Sequence, residues 1–216
     1  MNNKSPLQLQ AYESIKNKIL NGALAVDTLY SETKLSAELG ISRTPMREAL
    51  QCLGQDGYIT IVPSKGFMIR QLNEKDMLES IQVRCAIEGF CTHLIAADFE
   101  SRKGQKLLQE LSRLLKLQEK AAGARDSLSS FMEYDHKFHL ALVHYAANQE
   151  FEHSFQRLMY LIHLTTASAL SVPGRIEGTL DEHRRFYRFL EEGNGAEAYQ
   201  LLIRHLMAPL DMPILP

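Results

Sequence analysis

The nine residues Ser42-Arg43-Thr44-Pro45-Met46-Arg47-Glu48-Ala49-Leu50 constrain the fold more tightly than any other stretch of the chain. Wound as a helix, they place Arg43, Thr44, Arg47 and Gln51 along one side through i,i+3 and i,i+4 steps, with Met46, Ala49, Leu50 and Leu53 along the other. Ser42 suits the N-cap, and Pro45 falls in the first turn, where its missing N–H removes no helical hydrogen bond. Such a helix buries one face and presents the other. Two readings of the presented face stand at this point. It is the solvated basic side of an ordinary amphipathic helix, or it enters a DNA major groove, where Arg donates two hydrogen bonds to guanine O6 and N7.

The flanking sequence favours the second reading. Leu9, Tyr12, Ile15 and Ile19 recur at helical steps and predict a helix over roughly 7–21, ending at Asn21-Gly22. After a loop from Ala23 to Tyr30, Ser31 caps a short helix through Leu39, with Leu35 and Leu39 inward and Gly40 as the stop. Gly40-Ile41-Ser42 is then the short connection that a helix-turn-helix requires. Past Gln55-Asp56-Gly57, the β-forming runs Tyr58–Val62 and Phe67–Ile69 flank the turn residues Pro63-Ser64-Lys65-Gly66. Three helices and a hairpin predict a winged helix. Its tip offers a cation, Lys65, and a residue permitting close backbone approach, Gly66, which suits phosphate or minor-groove contact.

Residues 7–70 resemble the N-terminal winged helix of the GntR family of bacterial transcription regulators. The resemblance rests on Ser-Arg-Thr-Pro-Met-Arg-Glu-Ala-Leu at 42–50, the leucine and Asp-Gly that follow, and the Lys-Gly wing. It implies that Arg43 and Arg47 reach base edges, and that Ser42, Thr44 and Gly66 contact DNA backbone or groove. Two positions depart from the family pattern. Ala25-Val26-Asp27 replaces a Pro-Gly pair common after the first helix, and Thr33 stands where many members carry a basic residue, with Lys34 beside it. The second departure leaves the operator sequence open.

Charge agrees with a local rather than a global DNA-binding surface. The net charge is −2, yet residues 1–70 carry eight Lys/Arg against six Asp/Glu, leaving 16 against 20 in the remainder. The polar start, with Asn2, Asn3, Lys4 and Gln8, lacks a signal-peptide apolar core, and no later run reaches the ~18 apolar residues of a membrane span. These features predict a cytoplasmic protein. Cys52, Cys85 and Cys91 are odd in number and unlike a zinc knuckle in spacing, so they read as reduced, small core residues.

A domain boundary is predicted after Leu72, giving a winged helix over 1–72 and a second domain over 73–216, entered through an Asn73/Asp76 cap. The second domain reads as all-α, with six helices in a bundle. Leu78, Ile81, Cys85, Glu88, Cys91 and Ile95 mark the first; Leu107, Leu108, Leu111, Leu114, Leu115 and Gln118 mark the second. The others run over Leu128–Ala147, Phe151–Leu170, Gly178–Glu192 and from Gly195 to Met207, separated by Ser171-Val172-Pro173-Gly174 and Gly193-Asn194-Gly195.

Within this bundle one apolar stripe is interrupted. Leu128, Met132, Asp135, His139, Leu142 and Ala146 share a helix face, and burying its carboxylate and imidazole without partners costs several kcal/mol. Asp135 and His139, four apart, point the same way, as either a satisfied polar pair or two ligands of one ion. His183 and His205 also fall among apolar neighbours. Three imidazoles and a carboxylate suit Zn²⁺, the favoured ion, or Ni²⁺, Mn²⁺ or Fe²⁺, with positions left for water or an anion. Arg84 and Glu88 are either a surface pair of small worth or part of a carboxylate clamp.

Residues 73–209 are similar to the all-helical effector (FCD) domain of FadR-type GntR regulators, in a short VanR-like form. The matching pieces are Arg84-x-x-x-Glu88, Asp135-x-x-x-His139 with Phe138 between, Ala147-Asn148, Glu182-His183, and Ala198 followed by His205. The resemblance implies that Asp135, His139, His183 and His205 hold a divalent metal at which a small organic acid binds, with Arg84 and Asn148 contacting that effector. It further implies a homodimer on a pseudo-palindromic operator, with the two winged helices roughly 34 Å apart, and repression as the default activity. Two alternatives compete: a metal-free, acyl-CoA-responsive regulator, and a metal-dependent enzyme using Glu88 or Glu182 as base.

Overall fold

Helix α1 (Pro6–Leu20) starts in a capping box, in which the Ser5 hydroxyl accepts from Gln8 N–H and the Gln8 side chain accepts from Ser5 N–H. It buries Ala11, Tyr12, Ile15 and Ile19, the stripe expected from the 3.6-residue period. The computed structural model describes residues 5–124 and 127–214, so Asn2, Asn3 and Lys4 of the polar start lie outside the described residues. Helix α2 (Glu32–Leu39) is capped by Ser31 and stopped by Gly40 in the left-handed conformation. Helix α3 (Arg43–Gln55) buries Met46, Ala49, Leu50 and Leu53 and leaves Arg43, Thr44, Arg47 and Gln51 exposed. Ser42 occupies the N-cap with extended backbone, but its hydroxyl makes no capping hydrogen bond. The proline explains this departure: Pro45 at the third helical position lacks the N–H that a capping hydroxyl would meet.

Strands β1 (Ile59–Val62) and β2 (Gly66–Ile69) pair antiparallel, with Ile59 opposite Ile69 and Val62 opposite Gly66. Tyr30 adds an isolated bridge to Phe67, exchanging N–H to carbonyl bonds of 2.8 and 3.0 Å. That bridge fixes the identity of residue 66. Gly66 has φ +139°, and a Cβ there would overlap the Tyr30 carbonyl.

The second group of elements is α4 (Glu74–Ala97), α5 (Arg102–Ala122), α6 (Ser127–Tyr145), α7 (Gln149–Leu170), α8 (Arg175–Glu191), α9 (Gly195–Met207) and a 3-10 turn over Ala208–Asp211. By backbone proximity the chain divides into residues 1–71 with 157–160, and residues 72–156 with 161–216. In the second unit α5 packs on α6 and α8, and α4 on α6 and α9. Leu111, Leu114, Phe131, Phe138, Leu142, Leu190 and Leu202 fill the space between them. Asn73 caps α4 through a bond from Asp76 N–H, and its own amide donates to the Asp76 carboxylate.

Among the described residues no helix is long and apolar enough to cross a membrane. Of the cysteines, Cys91 is buried, while Cys52 and Cys85 are half-buried, so only the first sits fully in a core. The inward face of α4 is more polar than its apolar periodicity suggests. Ser80, Arg84, Glu88 and Thr92, four residues apart, are all buried; Ser80 and Thr92 satisfy their hydroxyls on the Met77 and Glu88 carbonyls.

Candidate metal centre and nucleic-acid interface

Four side chains from three helices converge in the second unit. α6 supplies Asp135 and His139 from successive turns, α8 supplies His183, and α9 supplies His205. One ligand atom from each lies within 4.8 Å of all the others. Nε2 of His205 is 3.2 Å from Nε2 of His139 and 3.3 Å from Nε2 of His183, and Asp135 Oδ1 is 3.7 Å from His183 Nε2 and 4.0 Å from His139 Nε2. Phe138 backs the cluster, stacked on the His183 ring at 4.5 Å between centroids.

The outer partners decide which nitrogens carry protons. His139 Nδ1 lies 2.6 Å from Glu88 Oε2, His183 Nδ1 2.9 Å from Gln118 Oε1, and His205 Nδ1 2.6 Å from Glu182 Oε2. All three partners are acceptors, so each imidazole donates outward through Nδ1–H. Gln118 is oriented by its own amide, which donates to the Tyr134 carbonyl. Each Nε2 is left with a bare lone pair aimed at the others. Burial holds the protonation of His139 and His183 well below the usual histidine range, an effect that the neighbouring positive charges reinforce. No hydrogen lies between the nitrogens to make their 3.2–3.3 Å separations attractive. A divalent cation satisfies all three lone pairs and the Asp135 carboxylate together, and outward-donating imidazoles are the arrangement that metal-binding histidines use.

The carboxylates of the cluster differ in environment. Burial raises Asp135 to about 6 against the opposing positive charge of Arg84. Burial also raises Glu88, against the charge and hydrogen bond of Arg84. Burial works the same way on Glu182, but hydrogen bonds from His205 and Arg175 outweigh it and bring Glu182 down to about 2. Arg175 grips both Glu182 oxygens, Nη1 to Oε1 and Nη2 to Oε2, at 2.8 Å each.

Beside the ligand atoms is a cavity of about 30 Å³, lined by Arg84, Asp135, His139, Thr165, Arg175 and His205 among others. Arg84 donates from Nε to Glu88 Oε1 at 2.7 Å and is buried, which excludes the surface-pair reading. Its Nη2 and the Thr165 hydroxyl are both buried without a hydrogen-bond partner. Two orphaned polar groups on one cavity are costly unless a ligand completes them.

Asn148 is placed otherwise than the resemblance implies. It is not among the cavity-lining residues, and its Oδ1 accepts from Glu150 and Phe151 N–H as the N-cap of α7. Sequence reasoning passed over Arg175, Thr165, Thr166 and Thr179, which line the cavity, and the accepting role of Gln118. Gln118 carried a signal, since it closes an otherwise leucine-rich helix face and is fully buried. Arg175 follows Pro173-Gly174, where it reads as a loop residue, although two helical turns separate it from Glu182 on the same side of α8.

In the first unit Ser31, Glu32, Arg43, Arg47, Gln51 and Lys65 are among the residues that line a groove of about 470 Å³ between α3 and the wing. Ser42, Arg43, Thr44, Arg47 and Lys65 are exposed, and Gly66 is half-buried against Tyr30. The exposed side of α3 and the wing tip therefore form one surface with three cations.

Comparison with known proteins bears on both units. Residues 7–69 match the model of bacterial regulatory proteins of the gntR family, and residues 79–208 match the FCD domain. The chain is 28% identical to the HTH-type transcriptional regulator YdhC of Bacillus subtilis (strain 168), over 93% of this chain and 88% of that protein. It is likewise 28% identical to the probable D-xylose utilization operon transcriptional repressor of Paenarthrobacter nicotinovorans, over 93% and 86%. Among solved structures, a GntR transcriptional regulator from Rhodococcus sp. RHA1 superposes with a TM-score of 0.78 at 20% identity, covering 96% of this chain and 97% of that one.

Proposed function

Since the chain belongs to the GntR family of bacterial transcriptional regulators and carries an FCD domain behind its winged helix, we propose that it is a repressor whose operator affinity is set by a small organic acid bound at a divalent-metal site. The family consists of transcriptional regulators and not enzymes, so the metal-dependent enzyme is set aside. The observation that carries the sensor reading is the convergence of three bare Nε2 lone pairs and the Asp135 carboxylate beside two orphaned polar groups.

Asp135, His139, His183 and His205 hold the metal, Zn²⁺ by preference for this nitrogen-rich, buried set. A dication with one carboxylate and three neutral imidazoles keeps a net positive charge and attracts an anion. Arg84 offers its free Nη2 edge to a carboxylate, and Thr165 offers a hydroxyl. At about 30 Å³ the cavity has roughly the volume of one water, so a small acid enters by displacing its lining side chains, whereas an acyl chain would need far more room, which weighs against the acyl-CoA reading. We assign Asn148 to capping and not to the effector.

At the other end Arg43 and Arg47 read base edges, Ser42, Thr44 and Lys65 bind phosphate or groove, and Gly66 lets the wing backbone approach. Two copies bind a pseudo-palindromic site. An apolar face on α4 and α9 supports the homodimer: Phe90 is 49% and Tyr199 46% exposed, with Val83 on the same side. Effector binding regulates only through a difference in affinity between two arrangements of the protein. Repression is assigned on the D-xylose relative's description. A thermal-shift screen of organic acids with and without added divalent metal tests the sensor half, because a ligand of the folded state raises apparent stability. Metal-dependent shifts by small acids are expected, and the absence of any metal-induced shift would overturn it.

A further inference from the structure

An acidic side chain lies where a DNA-binding groove should repel it. Glu32 opens α2 and lines the groove between α3 and the wing. Its Oε1 is 3.3 Å from Arg47 Nη2 and 3.7 Å from Arg43 Nε, and its Oε2 accepts from Arg47 Nε at 3.5 Å. The carboxylate is thus shared by both arginines that face outward from α3. Glu32 is only 21% exposed, against 66% for Arg43 and 58% for Arg47.

Neither stability nor affinity explains this arrangement. Ion pairs with partners this exposed contribute little to folding. A carboxylate facing phosphates weakens binding to any duplex, because each cation tied to it is one fewer released to the backbone. Geometry is what it supplies. Two guanidiniums four residues apart on one helix repel each other and, if free, turn outward to the nearest phosphates. An anion between them holds both forks over the groove before DNA arrives, so less conformational freedom is lost on docking. Resting on the reading of Arg43 and Arg47 as base readers, we propose that Glu32 is a positioning residue that commits both arginines to guanine edges instead of phosphates, giving up general affinity for sequence discrimination.

The test uses the full chain in three forms, the wild type, Glu32→Gln and Glu32→Asp. The wild type selects its preferred duplex from a randomised pool, and all three are then titrated with that duplex and a scrambled one over a range of salt. Glu32→Gln is expected to bind the scrambled duplex more tightly and with a steeper salt dependence, since each freed Arg adds about 0.9 to the slope. Its ratio of selected to scrambled affinity should fall at least about tenfold, the scale of one guanine contact. Glu32→Asp keeps the charge but not the reach, and should lower the ratio without tightening scrambled binding. A wild-type ratio in both variants, or an equal gain on both duplexes in Glu32→Gln, would overturn the proposal. So would a change confined to a cytosine outside the guanine positions, which would make Glu32 a direct reader. A wild-type chain that selects no sequence would instead refute the base-reading role of the arginines.

Discussion

Replacing Glu88 by Gln separates the metal centre from an ordinary buried polar cluster. Glu88 is fully buried and accepts twice, from Arg84 Nε at 2.7 Å and from His139 Nδ1 at 2.6 Å. Gln keeps the size but turns one acceptor into a donor, so one of those two donors meets another. The hydrogen bond from the charged guanidinium contributes about 1.5–3 kcal/mol, against about 0.5–1.5 for a neutral one, so the amide oxygen should stay on Arg84. The amide NH₂ then faces His139, whose imidazole can relieve the clash only by moving its proton from Nδ1 to Nε2. There the proton occupies the lone pair that would bind the metal. Loss of an outer partner of this kind lowers metal affinity about 10–100-fold, equivalent to about 1.4–2.7 kcal/mol. Competition for Zn²⁺ against a chromophoric chelator measures this, with a thermal melt confirming that the variant is folded. Affinity within about twofold of wild type in a folded Glu88→Gln protein would refute the claim that Glu88 sets the His139 tautomer.

Three further outcomes are expected. Arg47→Ala should lose about 1–3 kcal/mol of discrimination between operator and scrambled duplex while its melting temperature is retained, read by equilibrium binding; undiminished discrimination would remove Arg47 from base reading. Arg84→Lys, chosen because Arg84→Ala would strand the buried Glu88 at a cost of about 3–5 kcal/mol, should keep metal content but weaken the response to an organic acid, measured by calorimetry; an unaltered response would dissociate Arg84 from the effector. The third concerns pH. Asp135 is raised to about 6 by burial, above its unfolded value, so its protonated form favours the metal-free fold and that contribution is lost as pH rises through about 6. A divalent metal needs the ionised carboxylate and relieves its burial, so the rise in Tm on adding metal should grow from about pH 5 to about pH 7.5; an equal rise at both would contradict Asp135 as a ligand.

What could be read from the sequence divides along a physical line. The stripes that form α1, α3 and the bundle helices follow from local periodicity, and so does the placing of Asp135 and His139 on one buried face. A polar residue in an apolar stripe is conspicuous before any fold is known, which is why the four candidate ligands were legible. Their outer partners were less so, because Glu88, Gln118 and Glu182 meet histidines 51, 65 and 23 residues away. Such pairings depend on how helices cross, which periodicity does not encode. Local rules gave positions more readily than partners. Ser42 occupies the N-cap of α3 as its sequence suggests, but Pro45 removes the third-position N–H that its hydroxyl would meet, and Asn148, grouped with the effector by resemblance, is the N-cap of α7. Glu32 was invisible as a partner of Arg47 because the turn between α2 and α3 brings them together.

In the proposed switch, occupancy of the Asp135, His139, His183 and His205 site changes the hold of the arginine-bearing helix on DNA. It is tested most directly by titrating the selected operator duplex with the full-length metal-loaded protein, with and without an organic acid found in the thermal screen, alongside a folded His183→Ala variant. The acid should shift the operator Kd of the wild type by roughly 5–150-fold, the usual range of allosteric coupling, and leave the variant's unchanged. The same shift in a metal-free His183→Ala protein would contradict the switch.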